Sequence, residues 1–183
     1  MLRLKWVASL LKLSLHHIIR YAVMMILMAL LASCSVIKSD ADEVDKIRKN
    51  QDFTVITPEG WTPFVDHHYL SYTPHKTGKL FRTYVSVEKL PLEDVYTTLD
   101  DYVDYWIKYR KTDEVKKAIS SDFDNAIQTS TERIDYDGQK RRSMNIYFEY
   151  DNYYYQFVYS SVDEDYDQYF EPAMQIYDSI SFK

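Results

Sequence analysis

The chain has 183 residues, of which 22 are basic and 28 are acidic, and its formal net charge is −6 at neutral pH. Nucleic-acid binding depends on cationic side chains that neutralise phosphates, so an acidic chain of this kind is not expected to bind nucleic acid. Cys34 is the single cysteine. Intrachain disulfides and metal sites built from several cysteines are therefore excluded.

The first residues have the layout of a secretory signal peptide. Residues 1–20 carry four basic and no acidic side chains, and an apolar run from Tyr21 to Leu31 follows. The run ends in Leu31-Ala32-Ser33-Cys34 rather than in an A-x-A-like cleavage site. This ending resembles the lipobox of bacterial lipoproteins. The resemblance implies cleavage between Ser33 and Cys34, removal of residues 1–33, and attachment of fatty acyl chains to Cys34.

An uncleaved membrane anchor is the alternative reading of the same segment. The uncharged stretch between Arg20 and Lys38 has 17 residues, which is the lower limit for a helix that crosses a bilayer about 30 Å thick. As a lipoprotein, the mature chain would have 150 residues and a formal charge of −10, from 18 basic and 28 acidic residues. The resemblance also implies that Ser35, directly after the cysteine, favours a location at the outer membrane, on either of its faces.

Composition divides the mature chain into two parts. Residues 34–50 are polar and charged and contain no aromatic residue, so they are predicted to be the lipidated cysteine and a flexible tether. Residues 51–183 are rich in tyrosine and phenylalanine. This length is enough for a single globular domain with its own core.

Three strands are predicted before the first helix of the domain. Asp52–Pro58 alternates and stops at a proline, and His67–Tyr72 is a second candidate. Leu80–Lys89 alternates most clearly, with Val85 and Val87 on one face.

The hydrophobic period then changes from that of a strand to that of a helix. Thr98 is a plausible N-cap, and Val115–Ile119 is predicted as a further helical turn. The helical spacing connects Leu99, Tyr102, Val103, Trp106 and Arg110.

The second half of the domain is predicted to contain three more strands. Ala126–Ile134 is a weak strand, and a turn at Asp137-Gly138 follows it. The next two strands are joined by a turn at Asp151-Asn152. One face of the first strand carries Met144, Ile146, Phe148 and Tyr150, and one face of the second strand carries Tyr153, Tyr155, Phe157 and Tyr159.

The chain ends with two predicted helical segments. The first is Asp163–Phe170, and the second is predicted to begin at Pro172, since proline is favoured in the first turn of a helix. The whole order predicts an α+β fold in which helices pack on an antiparallel sheet of about six strands. With "FTVITPEGW" at its start and "YDSISF" at its end, the domain resembles the PsbP-like and Ran-binding Mog-type α/β/α sandwich. That resemblance implies a non-enzymatic role in binding or assembling protein partners.

Two clusters of polar residues contain side chains that can bind a metal ion. Asp66, His68 and His75 lie close in sequence, but neighbouring residues on a strand point to opposite faces. Asp163, Asp165 and Asp167 have the spacing of a calcium loop but lack its glycine and glutamate. We expect a solvated strand and an acidic helix start instead, and we expect neither a metal nor a cofactor.

The tyrosines are the most suggestive feature of the domain. Amphipathic aromatic side chains are enriched at interfaces, although many of these tyrosines would also suit a sheet core with the hydroxyl at its rim. The candidate binding face consists of Trp61, Tyr147, Tyr153, Tyr155 and Tyr159. The sequence thus predicts a lipid-anchored, non-enzymatic envelope lipoprotein that binds or assembles a protein partner. A glycan- or peptidoglycan-binding lipoprotein and a hydrolase are the alternatives.

The lipid attachment is testable by metabolic labelling. Cells that express the protein are grown with a palmitate analogue, and we expect label on the wild-type chain and none on the Cys34→Ala variant, because the thiol that receives the lipid is gone. Label that persists in Cys34→Ala would contradict the lipoprotein hypothesis.

Overall fold

The structure is a computed structural model and describes residues 41–66, 69–75, 82–91, 98–110 and 114–183. Residues 41–50 form a first helix, α1. Val44 and Ile47, three positions apart on this helix, pack against the hydrophobic core. The prediction of a flexible tether is therefore corrected for residues 41–50, because one apolar face of this charged segment finds a partner in the core.

Within the described residues, seven strands form one antiparallel sheet in the order β2-β3-β4-β8-β7-β6-β5. The α+β class and the antiparallel sheet are as predicted. The elements that follow α1 are β1 (Phe53–Thr54), β2 (Thr62–Asp66), β3 (Tyr69–Thr73), β4 (Thr83–Lys89), α2 (Leu99–Arg110), β5 (Val115–Ala118), β6 (Asp124–Ile134), β7 (Lys140–Tyr150), β8 (Tyr153–Val162), α3 (Asp163–Asp178) and β9 (Ser181–Phe182).

Two tight turns set the register of the longest strands. Gly138 has a φ of 79° in the turn between β6 and β7, a conformation that glycine adopts without steric cost. Asp151 and Asn152 have φ values of 49° and 60° between β7 and β8, as a two-residue hairpin turn of type I′ requires. Both turns lie where the sequence predicts them.

The two faces of the sheet carry different helices. On β7 and β8, Ile146, Phe148 and Phe157 belong to the core cluster that also contains Ala173 and Ile176 of α3. Adjacent side chains point the other way, so Tyr147 and Tyr154 belong to a second cluster with Leu99, Tyr102 and Val103 of α2. Helix α3 therefore packs on one face of the sheet and α2 on the opposite face.

Helix α2 begins as predicted. Thr98 Oγ1 accepts a hydrogen bond from the backbone N–H of Asp101 at 3.1 Å, which is the N-cap interaction. Leu99, Tyr102 and Val103 are the buried residues of the helix.

Helix α3 is continuous through Pro172, which corrects the prediction of two separate segments. Proline cannot donate the backbone hydrogen bond to the residue four positions earlier, and its ring crowds that carbonyl. The buried residues Tyr166, before the proline, and Ala173, Ile176 and Tyr177, after it, all pack in the same core cluster. Their burial offsets the lost hydrogen bond.

Three other segments differ between the prediction and the structure. The first predicted strand is reduced to β1, which pairs with β9. Strand β2 was not predicted because Pro63 interrupts its pattern, and proline is tolerated in β2 because this strand lies at the edge of the sheet. The predicted turn of helix at Val115–Ile119 is β5 instead, because this segment pairs with β6.

Truncation of a side chain at the centre of the core should destabilise the protein strongly. Phe157 is fully buried and its ring lies 5.2 Å from that of Tyr177. We expect Phe157→Ala to lower the free energy of unfolding by about 3–5 kcal/mol, because it removes buried apolar surface and leaves a cavity. Tyr136→Ala, at a fully exposed tyrosine, is the control and should change it by less than about 0.5 kcal/mol. Urea-induced unfolding measures both, and a cost for Phe157→Ala no larger than that of the control would contradict this description of the core.

Candidate functional site

The structure does not bring the five aromatic residues of the predicted binding face together on the surface. Tyr153 is 40% exposed, whereas Trp61, Tyr147, Tyr155 and Tyr159 are buried. The buried four also lie in two different clusters, because Tyr147 faces α2 and the other three lie in the cluster with α3. These four residues therefore do not form an exposed face, and the alternative stated with that prediction, tyrosines in the sheet core, describes Tyr147, Tyr155 and Tyr159.

The buried tyrosines place their rings in the core and bond their hydroxyls. Tyr155 donates to Asp52 Oδ2 at 2.9 Å, and Tyr159 donates to the carbonyl oxygen of Tyr166. Tyr147 accepts a hydrogen bond from Gln156 Nε2 at 3.2 Å, and burial raises its pKa to about 12. A tyrosine pattern in sequence does not distinguish this arrangement from an exposed surface, because the side chain suits both.

The other predicted site residues are those of the lipid attachment and of the two candidate metal clusters. Cys34 and Ser33 lie outside the described residues, as do His67 and His68. Asp163 and Asp165 lie in the first turn of α3, where Arg82 binds Asp165, so this acidic cluster is a helix start. Within the described parts of the chain, no three histidine, cysteine or carboxylate side chains come together as a metal site would require. The described helices are also too short or too polar to cross a bilayer.

A different site lies on the sheet face that carries α2. Beyond the last residue of this helix, Arg110, the sheet face opens into a groove of about 470 Å³, which we name the polar groove. Strands β4, β6, β7 and β8 supply its floor and walls, and Glu114, just before β5, also lines it. The lining residues are Tyr84, Glu88, Arg110, Glu114, Thr131, Glu132, Arg133, Ser143, Asn145, Gln156, Val158 and Ser160.

A row of hydrogen bonds fixes the floor of the polar groove across three strands. Gln156 Nε2 on β8 donates to Asn145 Oδ1 on β7 at 3.1 Å and to the hydroxyl of Tyr147. Asn145 Nδ2 in turn donates to Thr129 Oγ1 on β6 at 3.1 Å. Since buried polar groups are costly unless they are bonded, this row holds the two amide planes in defined orientations.

The part of the floor further from α2 is fixed in the same way. The hydroxyls of Ser143 and Ser160 are 2.8 Å apart, and Arg141 Nη1 donates to Ser160 Oγ at 3.3 Å. Arg141 is buried and its Nε lies 2.8 Å from Asp135 Oδ2, which compensates its charge. The floor is therefore a preformed polar surface.

Charged side chains lie where the groove meets α2. Glu88 accepts a hydrogen bond from Ser86 Oγ at 3.1 Å. Burial raises the pKa of the Glu88 carboxyl above its usual range; the bond from Ser86 acts in the opposite direction, and the nearby carboxylate of Asp66 adds to the increase. Arg110 also lines the groove here and stacks on Trp106, with its guanidinium carbon 5.4 Å from the ring centroid.

Exposed aromatic rings on α2 continue from Arg110. Tyr105 and Tyr109 are 42% and 65% exposed, and their rings stack with centroids 5.8 Å apart and planes 14° apart. Trp106 meets both rings edge-on. These three residues are called the aromatic strip. The sequence analysis missed the groove and the strip, although the helical pattern could have indicated the strip, since Tyr105 and Tyr109 are four positions apart.

The arrangement can bind a polar ligand. The groove offers hydroxyls, carboxamides, carboxylates and guanidiniums, which together donate and accept hydrogen bonds. Their support on paired strands holds these polar groups in place, as a binding site requires. In sequence these residues had the pattern of a solvated strand face, which is why they were not singled out.

Comparison with known proteins supports the fold. Neither a protein-family model nor a curated protein matches the chain. The crystal structure of LpqN, described as involved in cell envelope biogenesis of Mycobacterium tuberculosis, is similar with a TM-score of 0.52 and 11% identity, over 72% of this chain and 83% of LpqN. The solution structure of cyanobacterial PsbP from Synechocystis sp. PCC 6803 has a TM-score of 0.42 and 12% identity, over 72% of this chain and 87% of that protein. The first similarity shows the fold alone, and the second is too low to carry an argument.

The environment of Glu88 predicts a pH-dependent effect on stability. Its raised pKa means that the folded chain binds more protons than the unfolded chain between the two pKa values, so its contribution to stability falls as the pH rises through that window. Glu88→Gln removes this loss. We therefore expect the stability of Glu88→Gln relative to wild type to increase from pH 4 to pH 7, as measured by urea-induced unfolding.

Glu132→Gln is the matched control for this measurement. The hydrogen bond from Lys140 lowers the pKa of the Glu132 carboxyl, so this residue favours the folded state more as the pH rises. The relative stability of Glu132→Gln should be flat or fall over the same range. A flat profile for Glu88→Gln would contradict the burial of its carboxyl.

Proposed function

We propose that this protein is a bacterial envelope lipoprotein, anchored by lipid on Cys34, whose globular domain is a non-enzymatic binding module. The observation that carries the binding role is the polar groove, a preformed concavity whose floor is held by hydrogen bonds across β6, β7 and β8. The anchor rests on the lipobox-like sequence before Cys34. The resemblance to lipoproteins implies that Ser35, after the cysteine, favours the outer membrane as the site of the anchor.

The fold is consistent with this role. LpqN, whose fold is similar, is described as involved in cell envelope biogenesis. A lipid anchor would hold the groove close to a membrane, where the local concentration of envelope components is high. The proposed role is to hold or assemble an envelope component rather than to transform it.

Photo-crosslinking from the groove tests the proposal. A photoreactive amino acid is placed at Thr131 or Arg133, both in the groove lining, and at Tyr136 as the control, which is fully exposed outside the lining. The full chain with Cys34 is expressed in its own host and irradiated in intact cells. We expect adducts of increased mass from the groove positions and none from the control, because only the groove holds a ligand.

The outcome is read on gels after solubilisation of the envelope. Groove positions that give no adduct, or the same adducts as Tyr136, would contradict the binding role. Treatment of the adducts with a protease or with a cell-wall hydrolase then shows whether the crosslinked ligand is a protein or a glycan.

A further inference from the structure

The chemistry of the polar groove identifies the class of ligand that suits it. This inference rests on the groove being the binding site proposed above. Three properties of the described residues decide it: the balance of charge, the kind of hydrogen-bonding groups, and the surface that continues from the groove onto α2.

The charges in the groove are mixed in sign and partly compensated. Carboxylates from Glu88, Glu114 and Glu132 share the lining with the guanidiniums of Arg110 and Arg133. Lys140 Nζ lies 2.7 Å from Glu132 Oε2 and compensates that carboxylate. Arg133 is compensated by Asp135, which is not a lining residue, since Arg133 Nε lies 2.8 Å from Asp135 Oδ1. A strongly charged ligand of either sign would meet like charge here. The charge pattern therefore favours a ligand without strong net charge.

The hydrogen-bonding groups suit a ligand covered in hydroxyls. Thr131 and Ser143 present hydroxyls that can donate or accept. The carboxamides of Asn145 and Gln156 are buried in the floor, and they offer the ligand only the positions that their bonds across the strands leave unused. Each ring hydroxyl of a saccharide also donates and accepts. Strand residues Gln156 to Ser160 lie along the groove, a length of about 13 Å at the usual rise per residue of a strand, which suits a short stretch of a saccharide chain.

An extended peptide suits the groove less well. Peptides commonly bind by adding a strand to the edge of a sheet. The four strands of the floor are interior strands, and each already pairs with a strand on both sides. Tight peptide binding also depends on apolar or aromatic anchors in desolvated pockets. Among the described residues that line the groove, Val158 is the one aliphatic side chain and Tyr84 the one aromatic side chain.

The aromatic strip provides a surface for the rest of such a ligand. Arg110 lines the groove and also stacks on Trp106, so the groove and the strip are continuous. The exposed rings of Tyr105 and Tyr109 lie nearly parallel to each other. The negative face of an aromatic ring attracts the C–H groups of a sugar ring, and the apolar contact adds to this attraction.

We propose that the polar groove and the aromatic strip together bind a neutral saccharide chain. The groove bonds the hydroxyls of the chain, and Tyr109 packs against the face of a sugar ring. The ligand class is a polyhydroxylated chain without charged groups, such as a neutral oligosaccharide on the cell surface.

Calorimetric titration of the full chain tests the inference. The protein is purified in a detergent without a sugar headgroup, since such a headgroup would compete for the site. The probes are the neutral oligosaccharides chitotetraose, cellotetraose and maltotetraose. We expect saturable binding of at least one probe, and about a tenfold weaker Kd for Tyr109→Ala and for Thr131→Val, which corresponds to about 1.4 kcal/mol of binding free energy.

Tyr136→Ala is the control variant, because it also removes an exposed tyrosine but lies outside the groove lining and the strip. Its affinity should equal that of the wild type, and circular dichroism shows whether each variant is folded. Binding that Tyr109→Ala and Thr131→Val leave unchanged would overturn the inference, because the saccharide would then bind elsewhere.

Crosslinking separates a failure of this inference from a failure of the proposed function. If none of the probes binds and the groove crosslinks to a protein, the saccharide inference is wrong and the binding role stands. If none of the probes binds and the groove gives no adduct, both are wrong.

Discussion

The pairing of β7 with β8 is the constraint on which the rest of the structure depends. The two strands pair from Arg141↔Val162 to Tyr150↔Tyr153, and the Asp151-Asn152 turn sets their register. A slip of one residue would exchange the two faces of the hairpin. In the observed register, one face supplies the apolar centre of the core, and the other supplies the amides and hydroxyls of the polar groove.

The two faces stabilise the molecule in different ways. The face toward α3 is apolar and buried, and its stability comes from the removal of apolar surface from water. The face toward α2 buries Thr129, Asn145 and Gln156, which cost free energy unless they are hydrogen-bonded. The bonds between them satisfy this requirement and also make the groove floor rigid. The same interactions thus support the fold and shape the candidate site.

Much of the fold could be predicted because it depends on local patterns. The period of α2, its threonine cap, the two hairpin turns and the alternation of β7 and β8 are all visible within short windows of the sequence. The short edge strand β2 was missed because Pro63 interrupts its pattern, and the four-residue β5 because it was predicted as a helical turn, although each pairs with the next strand along the chain. Pro172 was assigned to a helix start because its neighbours in the core were unknown, although their burial keeps α3 continuous.

The candidate site shows the limit of the sequence more clearly. By itself, the sequence determined the longer strands, helix α2 and where the long hairpins turn, because backbone preference and hydrophobic period are local properties. Only the tertiary structure decided that most of the predicted tyrosine face is core and that Arg110, Thr131 and Gln156 line one groove. The physical reason is that burial and convergence depend on which strands become neighbours, and a side chain such as tyrosine is chemically suited to either environment.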